Sequence, residues 1–412
     1  MMAYTFKNVK IIDPNSSWNG KKCDVIVDRG RINQIGKGLE TKGHLVEGKG
    51  LHLSPGWIDM HAHFCDPGHE YKEDLASGLA AAKAGGFTSV VSMPSTEPVI
   101  DSKGQIEYLL NRSKGSGVQI YPAAAISKKM QGEELAEMVD LSQAGARLFT
   151  DDKVPVSDSS LMHRALLYSR DTSAIVCSLP QDSHMSAKGM MNEGAISTGL
   201  GLKGIPHIAE SIMLRRDIDL LRHSDSSMHV LGLSSADGVK LVKAAKKEGL
   251  RITAEVHLAH LLWNDSKLNA YDSNYKLSPP LRNERDRKAL IKGVNDGTID
   301  CISSDHRPED VETKKVEFGQ ASEGIALIES FYPLYQTYLS KDISLDRFVG
   351  TLTTGPCSIL GLTPAIIAEG KPAILTCFSD KEEAPKRPAF TKAYNTPCIH
   401  PDTTGQVIGT WR

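Results

Sequence analysis

From Gly56 to about residue 364 the chain alternates short apolar runs with helix-like stretches, and this repeat limits the fold more than any other feature. Strand-like runs fall at 58–63, 88–93, 118–125, 146–150, 174–179, 228–233, 251–256 and 299–304. Helical patterns lie between them, among others at 73–84, 103–114, 133–144, 160–168, 209–221 and 237–247. Gly85-Gly86 stops the first of these, as glycine does where a helix gives way to a turn. β-then-α units in series lay their strands parallel, and this number of them suits a closed barrel. The expected fold class is α/β, a (β/α)8 TIM-type barrel over residues 56–364.

The two ends read differently. Short strand-like runs at 4–12, 23–28 and 31–35 are separated by Asp-Pro-Asn and Asp-Arg-Gly turns, and strand-like runs return at 373–378 and 405–411. Strand-rich termini flanking a barrel can pair with each other. Residues 1–55 and 365–412 are therefore expected to form one small β-sandwich domain.

Barrels of this kind carry their chemistry at the C-terminal ends of the strands. The first strand ends in His61-Ala-His63, and residues i and i+2 of a strand point to one face. Two imidazoles aimed at one point suit a divalent metal, although an H-x-H pair among 14 histidines also arises by accident. Phe149-Thr-Asp151-Asp152 and Ile302-Ser-Ser-Asp305 place carboxylates just past two further apolar runs. Singly, each aspartate reads as a turn cap. Together, three clusters at three strand ends point to a metal-assisted hydrolase, in which Asp305 ligates the ion and takes a proton from the attacking water. His163, His184, His207, His223, His229, His257 and His260 lack such placement, and His260 reads as a packed residue.

Charge and cysteine usage exclude other classes. With 48 basic and 50 acidic residues there is no electrostatic case for binding nucleic acid or an anionic membrane. The N-terminus has no apolar signal core and no run approaches a membrane span. Seven scattered cysteines without a C-x-x-C pair suit reduced thiols, so the expected location is cytoplasmic.

His61-Ala-His63, Asp66-Pro-Gly-His-Glu-Tyr-Lys-Glu-Asp74, Ala84-Gly-Gly-Phe-Thr88, Met93-Pro-Ser-Thr96, Phe149-Thr-Asp-Asp152, Pro279-Pro-Leu-Arg282 and Asp305-His306 resemble dihydroorotase motifs, with Asn192-Glu-Gly and Asn395-Thr-Pro as further markers. The order and intervals agree over nearly the whole chain. The resemblance implies a metal-dependent amidohydrolase of pyrimidine biosynthesis. It assigns His61, His63, Asp152 and Asp305 to the more buried of two metals, and Asp305 to catalysis. The two further histidines of the family do not carry over: the aligned stretches read Cys177-Ser178-Leu179-Pro180 and Gly232-Leu233-Ser234. Neither serine nor glycine replaces an imidazole as a zinc donor.

Substrate-holding positions depart as well. Cys65 stands where the family has a carboxylate-clamping arginine, Ser95 and Ser278 where it has asparagine, and Glu309 where it has histidine. A thiol cannot supply the bidentate Arg–carboxylate contact, and an ionised Glu309 would repel a carboxylate substrate. The resemblance with these gaps implies zinc at no more than one ion per chain and lost or strongly reduced dihydroorotase activity. Two alternatives stay open: a mononuclear hydrolase of another cyclic amide or ureide, and an ordinary dihydroorotase with a replacement ligand such as His184. Some dihydroorotase-like chains are structural partners of aspartate transcarbamoylase, which makes that enzyme the expected partner of an inactive homologue. Homodimers are common among relatives.

Overall fold

In a computed structural model, which describes residues 2–396 and 403–412, eight parallel strands follow one another in chain order around a barrel. They are Trp57–Ala62, Phe87–Ser92, Gln119–Ala124, Leu148–Phe149, Ile175–Ser178, Met228–Val230, Ile252–His257 and Cys301–Ser303. Each pairs in parallel with the next. The ring closes where Ala62 bridges His306 in parallel and the His63 amide donates to the His306 carbonyl at 2.8 Å. Asp59 of the first strand adds a second tie, accepting from the Ser304 amide at 3.0 Å and from the Ser304 hydroxyl.

The strands are buried on both faces, which explains why they read as nearly continuous apolar runs. Met60, Val91, Ala123, Leu148, Cys177, Leu231 and Cys301 belong to one buried inner cluster. Helices such as Leu75–Ala84, Lys103–Arg112, Ile208–Ser224 and Ala236–Lys247 cover the outside.

Both termini contribute to a separate seven-stranded sheet. Leu51–Pro55, a strand absent from the sequence expectation, joins the two ends: it pairs in parallel with Tyr4–Ile11 and antiparallel with Leu375–Glu383. Two expected helices start later than their patterns suggested. The first begins at Leu75 because Asp74 caps it, accepting from the Ser77 amide at 2.8 Å. The third begins at Met138, since Leu135 bridges Ser127 and holds the preceding residues extended. Cys398 and Pro397 of the Asn-Thr-Pro marker lie outside the described residues. Among the described residues no helix is long and apolar enough to cross a membrane.

Trp57 fastens the barrel floor to the terminal sheet. Its ring lies 5.1 Å from Phe378 of the sheet and 5.8 and 6.0 Å from Tyr332 and Phe348, and its Nε1 donates to Ser54 Oγ at 2.9 Å. Truncating so large a buried ring leaves a void that packed neighbours cannot fill. Trp57→Ala is expected to cost about 3–5 kcal/mol in urea unfolding. A loss below about 1 kcal/mol would show that the two units do not depend on this contact.

Candidate metal centre

The site is assembled at the C-terminal mouth, where strands end and the chain must turn. His61 stands at the end of the first strand and His63 just beyond it, with ring centroids 5.4 Å apart. Asp152 follows the fourth strand and Asp305 the eighth, with φ of 50° and 46° respectively. Aspartate is among the few residues other than glycine that enter this left-handed region, and here it aims both carboxylates inward. Neighbouring groups hold the turns in place. Asp151 accepts from the Ile126 and Ser127 amides at 2.8 and 2.9 Å, while Asp59 pins Ser304 beside Asp305.

All four predicted ligands are buried and close to one another. His61 Nε2 lies 3.2 Å from Asp152 Oδ1 and 3.7 Å from Asp305 Oδ1, and His63 Nε2 lies 2.7 Å from Asp152 Oδ2. Donors 2.0–2.1 Å from a tetrahedral ion sit about 3.4 Å apart, so the wider spacings already match a coordination sphere. The short His63–Asp152 separation is a hydrogen bond that a cation would replace.

The electrostatics depend on burial and on Glu255, which the sequence reading did not single out. Burial disfavours a charged His61, but hydrogen bonds to Asp152 and Glu255 outweigh it and raise its pKa to about 10. Glu255 Oε1 holds His61 Nδ1 at 2.9 Å, the carboxylate–imidazole arrangement that turns the other ring nitrogen toward a metal. Burial dominates at His63 and lowers its pKa. Burial also opposes the Asp152 and Asp305 carboxylates, yet both titrate far below the ordinary range. The charge of His63 and the bonds from His61 and His63 achieve this at Asp152; His257, Lys153, His61 and His63 achieve it at Asp305. Lys153 Nζ sits 2.9 Å from Asp305 Oδ1 and donates to the Ser278 carbonyl at 2.8 Å. A fixed ammonium thus lies against the expected proton acceptor.

The altered positions fall around this cluster. Ser178, at the end of the fifth strand, donates to Asp217 Oδ2 at 2.5 Å. Gly232, past the sixth strand, has φ +54°, and a Cβ there would come within 2.6 Å of His257 Nε2. Ser95 Oγ donates to Asp152 Oδ2 at 2.6 Å. Burial pushes the Cys65 thiol up to about 12, which leaves it unreactive. The Glu309 carboxylate pairs with Lys72 at 2.8 Å, so the repulsion expected from it is offset locally. Arg282 serves the framework, donating to Asn192 Oδ1 and the Ile205 carbonyl.

His184 is exposed on the short helix Ser183–Ser186. His229 lies buried, bonded to Thr253 Oγ1 at 2.9 Å, with Glu255 and Cys301 as neighbours. His260 is packed, its Nε2 3.0 Å from the Pro279 carbonyl. His257 is the correction. The sequence pattern gives it no site placement, yet it ends the seventh strand, and its Nε2 lies 3.7 Å from Asp305 Oδ2. His61, His257 and Asp305 form a second potential metal-holding trio beside His61, His63 and Asp152. The signal was in the sequence, because His257 directly follows an expected strand just as Asp305 does.

Solved structures give the fold. The chain is similar to L-hydantoinase (dihydropyrimidinase) from Arthrobacter aurescens, with a TM-score of 0.82 and 19% identity over 99% of this chain and 94% of that one. A D-hydantoinase (dihydropyrimidinase) from Thermus sp. gives a TM-score of 0.78 with 22% identity over 98% and 93%. At such identity the likeness is one of fold alone: a (β/α)8 barrel with a small β unit from both termini.

Sequence comparison gives the family. A dihydro-orotase-like family model matches residues 50–238. The dihydroorotase of Acetivibrio thermocellus is 40% identical over 381 residues, covering 92% of this chain and 89% of that protein. That of Syntrophus aciditrophicus is 38% identical over 416 residues, covering 99% and 97%. This chain belongs to the dihydroorotase family.

Glu255 supplies a test of the site that needs no ion. Glu255→Gln removes the charge that offsets buried His61, and is expected to destabilise the chelator-treated protein by about 1–3 kcal/mol in urea unfolding. An unchanged midpoint would mean that His61 does not rely on this carboxylate.

Proposed function

We propose that this chain is a divergent dihydroorotase-type amidohydrolase that holds a single divalent ion, zinc in the first instance, and hydrolyses dihydroorotate poorly or not at all. One observation carries the reading. Both positions where the resemblance calls for further histidines are spoken for: Ser178 is bonded to Asp217, and the space beside Gly232 is filled by His257. A second ion therefore lacks its imidazole donors, whereas the donor set for one ion is intact.

His61, His63, Asp152 and Asp305 would hold that ion. The fit rests on the buried trio His61, His63 and Asp152, whose ligand atoms lie within 4.8 Å of one another, with Asp305 Oδ1 3.7 Å from His61 Nε2 and the His257 Nε2 atom buried and unpartnered beside them. When bound, the ion supplies Lewis-acid activation of water and of the amide carbonyl. Asp305, held ionised, is the group placed to accept the proton from that water. Lys153 against its Oδ1 lowers its basicity and is one reason to expect slow turnover.

The second reading, a hydrolase of a cyclic amide or ureide without a carboxylate, is favoured by the loss of the clamp. Cys65 cannot bind a carboxylate bidentately, and the nearby Lys72 ammonium is already paired with Glu309. Protein purified without chelators should contain about one ion per chain by mass spectrometry and hydrolyse dihydroorotate at least about 100-fold more slowly than an active relative. The same sample is assayed with hydantoin and dihydrouracil, where turnover would support the second reading. Two ions with brisk dihydroorotate hydrolysis would overturn the proposal. No ion and no turnover would replace it with a scaffold role, tested by binding to aspartate transcarbamoylase.

A further inference from the structure

His257 is fully buried, and its Nε2 has no hydrogen-bond partner. Burying an imidazole nitrogen unpaired carries a desolvation penalty, so such an atom in a polar site calls for an occupant. The Nδ1 atom of the same ring lies 2.9 Å from Ser303 Oγ, which fixes the ring plane and leaves Nε2 facing the cluster. Nε2 lies 3.7 Å from Asp305 Oδ2, and the His257 and His61 rings meet edge to face with centroids 4.9 Å apart.

Gly232 makes the arrangement specific to this chain. Any side chain at 232 would start 2.6 Å from His257 Nε2, so one of the two positions can fill this space, but not both. The resemblance to dihydroorotases puts a histidine at 232. Here the imidazole enters the same space from the neighbouring strand.

We infer that His257 is a metal ligand: from the seventh strand its imidazole enters the space beside Gly232 and joins His61, His63, Asp152 and Asp305 around the single bound ion. The inference rests on the single-ion reading above but goes beyond it, since that reading requires only the four family ligands. Three imidazoles around one site would each keep an anchored Nδ1: His61 on Glu255, His63 on the His306 carbonyl at 3.3 Å, and His257 on Ser303. The ring nitrogens left for the ion are then all Nε2.

The test measures metal binding on the full chain. Zn²⁺ and Co²⁺ affinities are taken by competition with a chromophoric chelator for the unaltered protein, H257A and H257Q. Loss of the ligand should weaken binding by more than about 100-fold, beyond what loss of an outer-shell partner does, and should change the visible Co²⁺ spectrum. Because either variant could fail to fold, the unaltered Co²⁺ protein is also examined by proton NMR. Three exchangeable, paramagnetically shifted imidazole N–H signals support the inference, and two overturn it. Unaltered protein that binds one ion while H257A and H257Q bind it equally tightly would overturn this inference and leave the single-ion reading standing. Unaltered protein that takes up neither ion would overturn both.

Discussion

The closure of the barrel between its first and eighth strands is the constraint on which the rest depends. Ala62 and His63 meet His306, and Asp59 meets Ser304, so the H-x-H pair of one strand is locked beside the aspartate that follows the other. The two stretches are more than two hundred residues apart in the chain, and each alone is an apolar run with a polar end. Hydrogen bonding across the seam converts them into one face of a site. Asp59 is buried, and burial raises its pKa to about 6, against the pull of its bonds to Ser304 and His61. The seam therefore carries a polar load that only full satisfaction by neighbours makes tolerable.

Inside that frame the cluster is organised by paired charges rather than by isolated ligands. Glu255 orients His61, Asp152 sits between two imidazoles, and Lys153 rests against Asp305. Lys153 changes the character of the pocket. An ammonium that approaches a carboxylate at 2.9 Å neutralises part of the charge that a second cation would otherwise meet.

Much of this was legible beforehand. Eight strand–helix units, two apolar faces per strand and strand-rich termini specified the barrel and its companion sheet, because periodicity and burial are local properties of sequence. That His61, His63, Asp152 and Asp305 gather at one mouth was legible for a related reason: each sits where an apolar run ends. The expected helix at 133–144 was too long because Leu135 pairs with Ser127, a contact that local pattern does not encode. Leu51–Pro55 was missed because a short strand between two turn-rich stretches has too little pattern to stand out.

The sequence by itself therefore determined the fold class and the family, since these follow from residue identity and order. Tertiary structure alone decided what fills the space beside Gly232. His257 is separated from Gly232 by a whole helix and strand, and only parallel pairing of the sixth and seventh strands brings its ring nitrogen to within 2.6 Å of where that Cβ would be. Glu309 is a repulsive charge in the sequence alone, but in the fold Lys72, from a loop across the barrel seam, pairs with it. Whether a polar residue is a ligand, a filler or half of an ion pair depends on what faces it across the mouth. The order of residues along a strand carries no record of that.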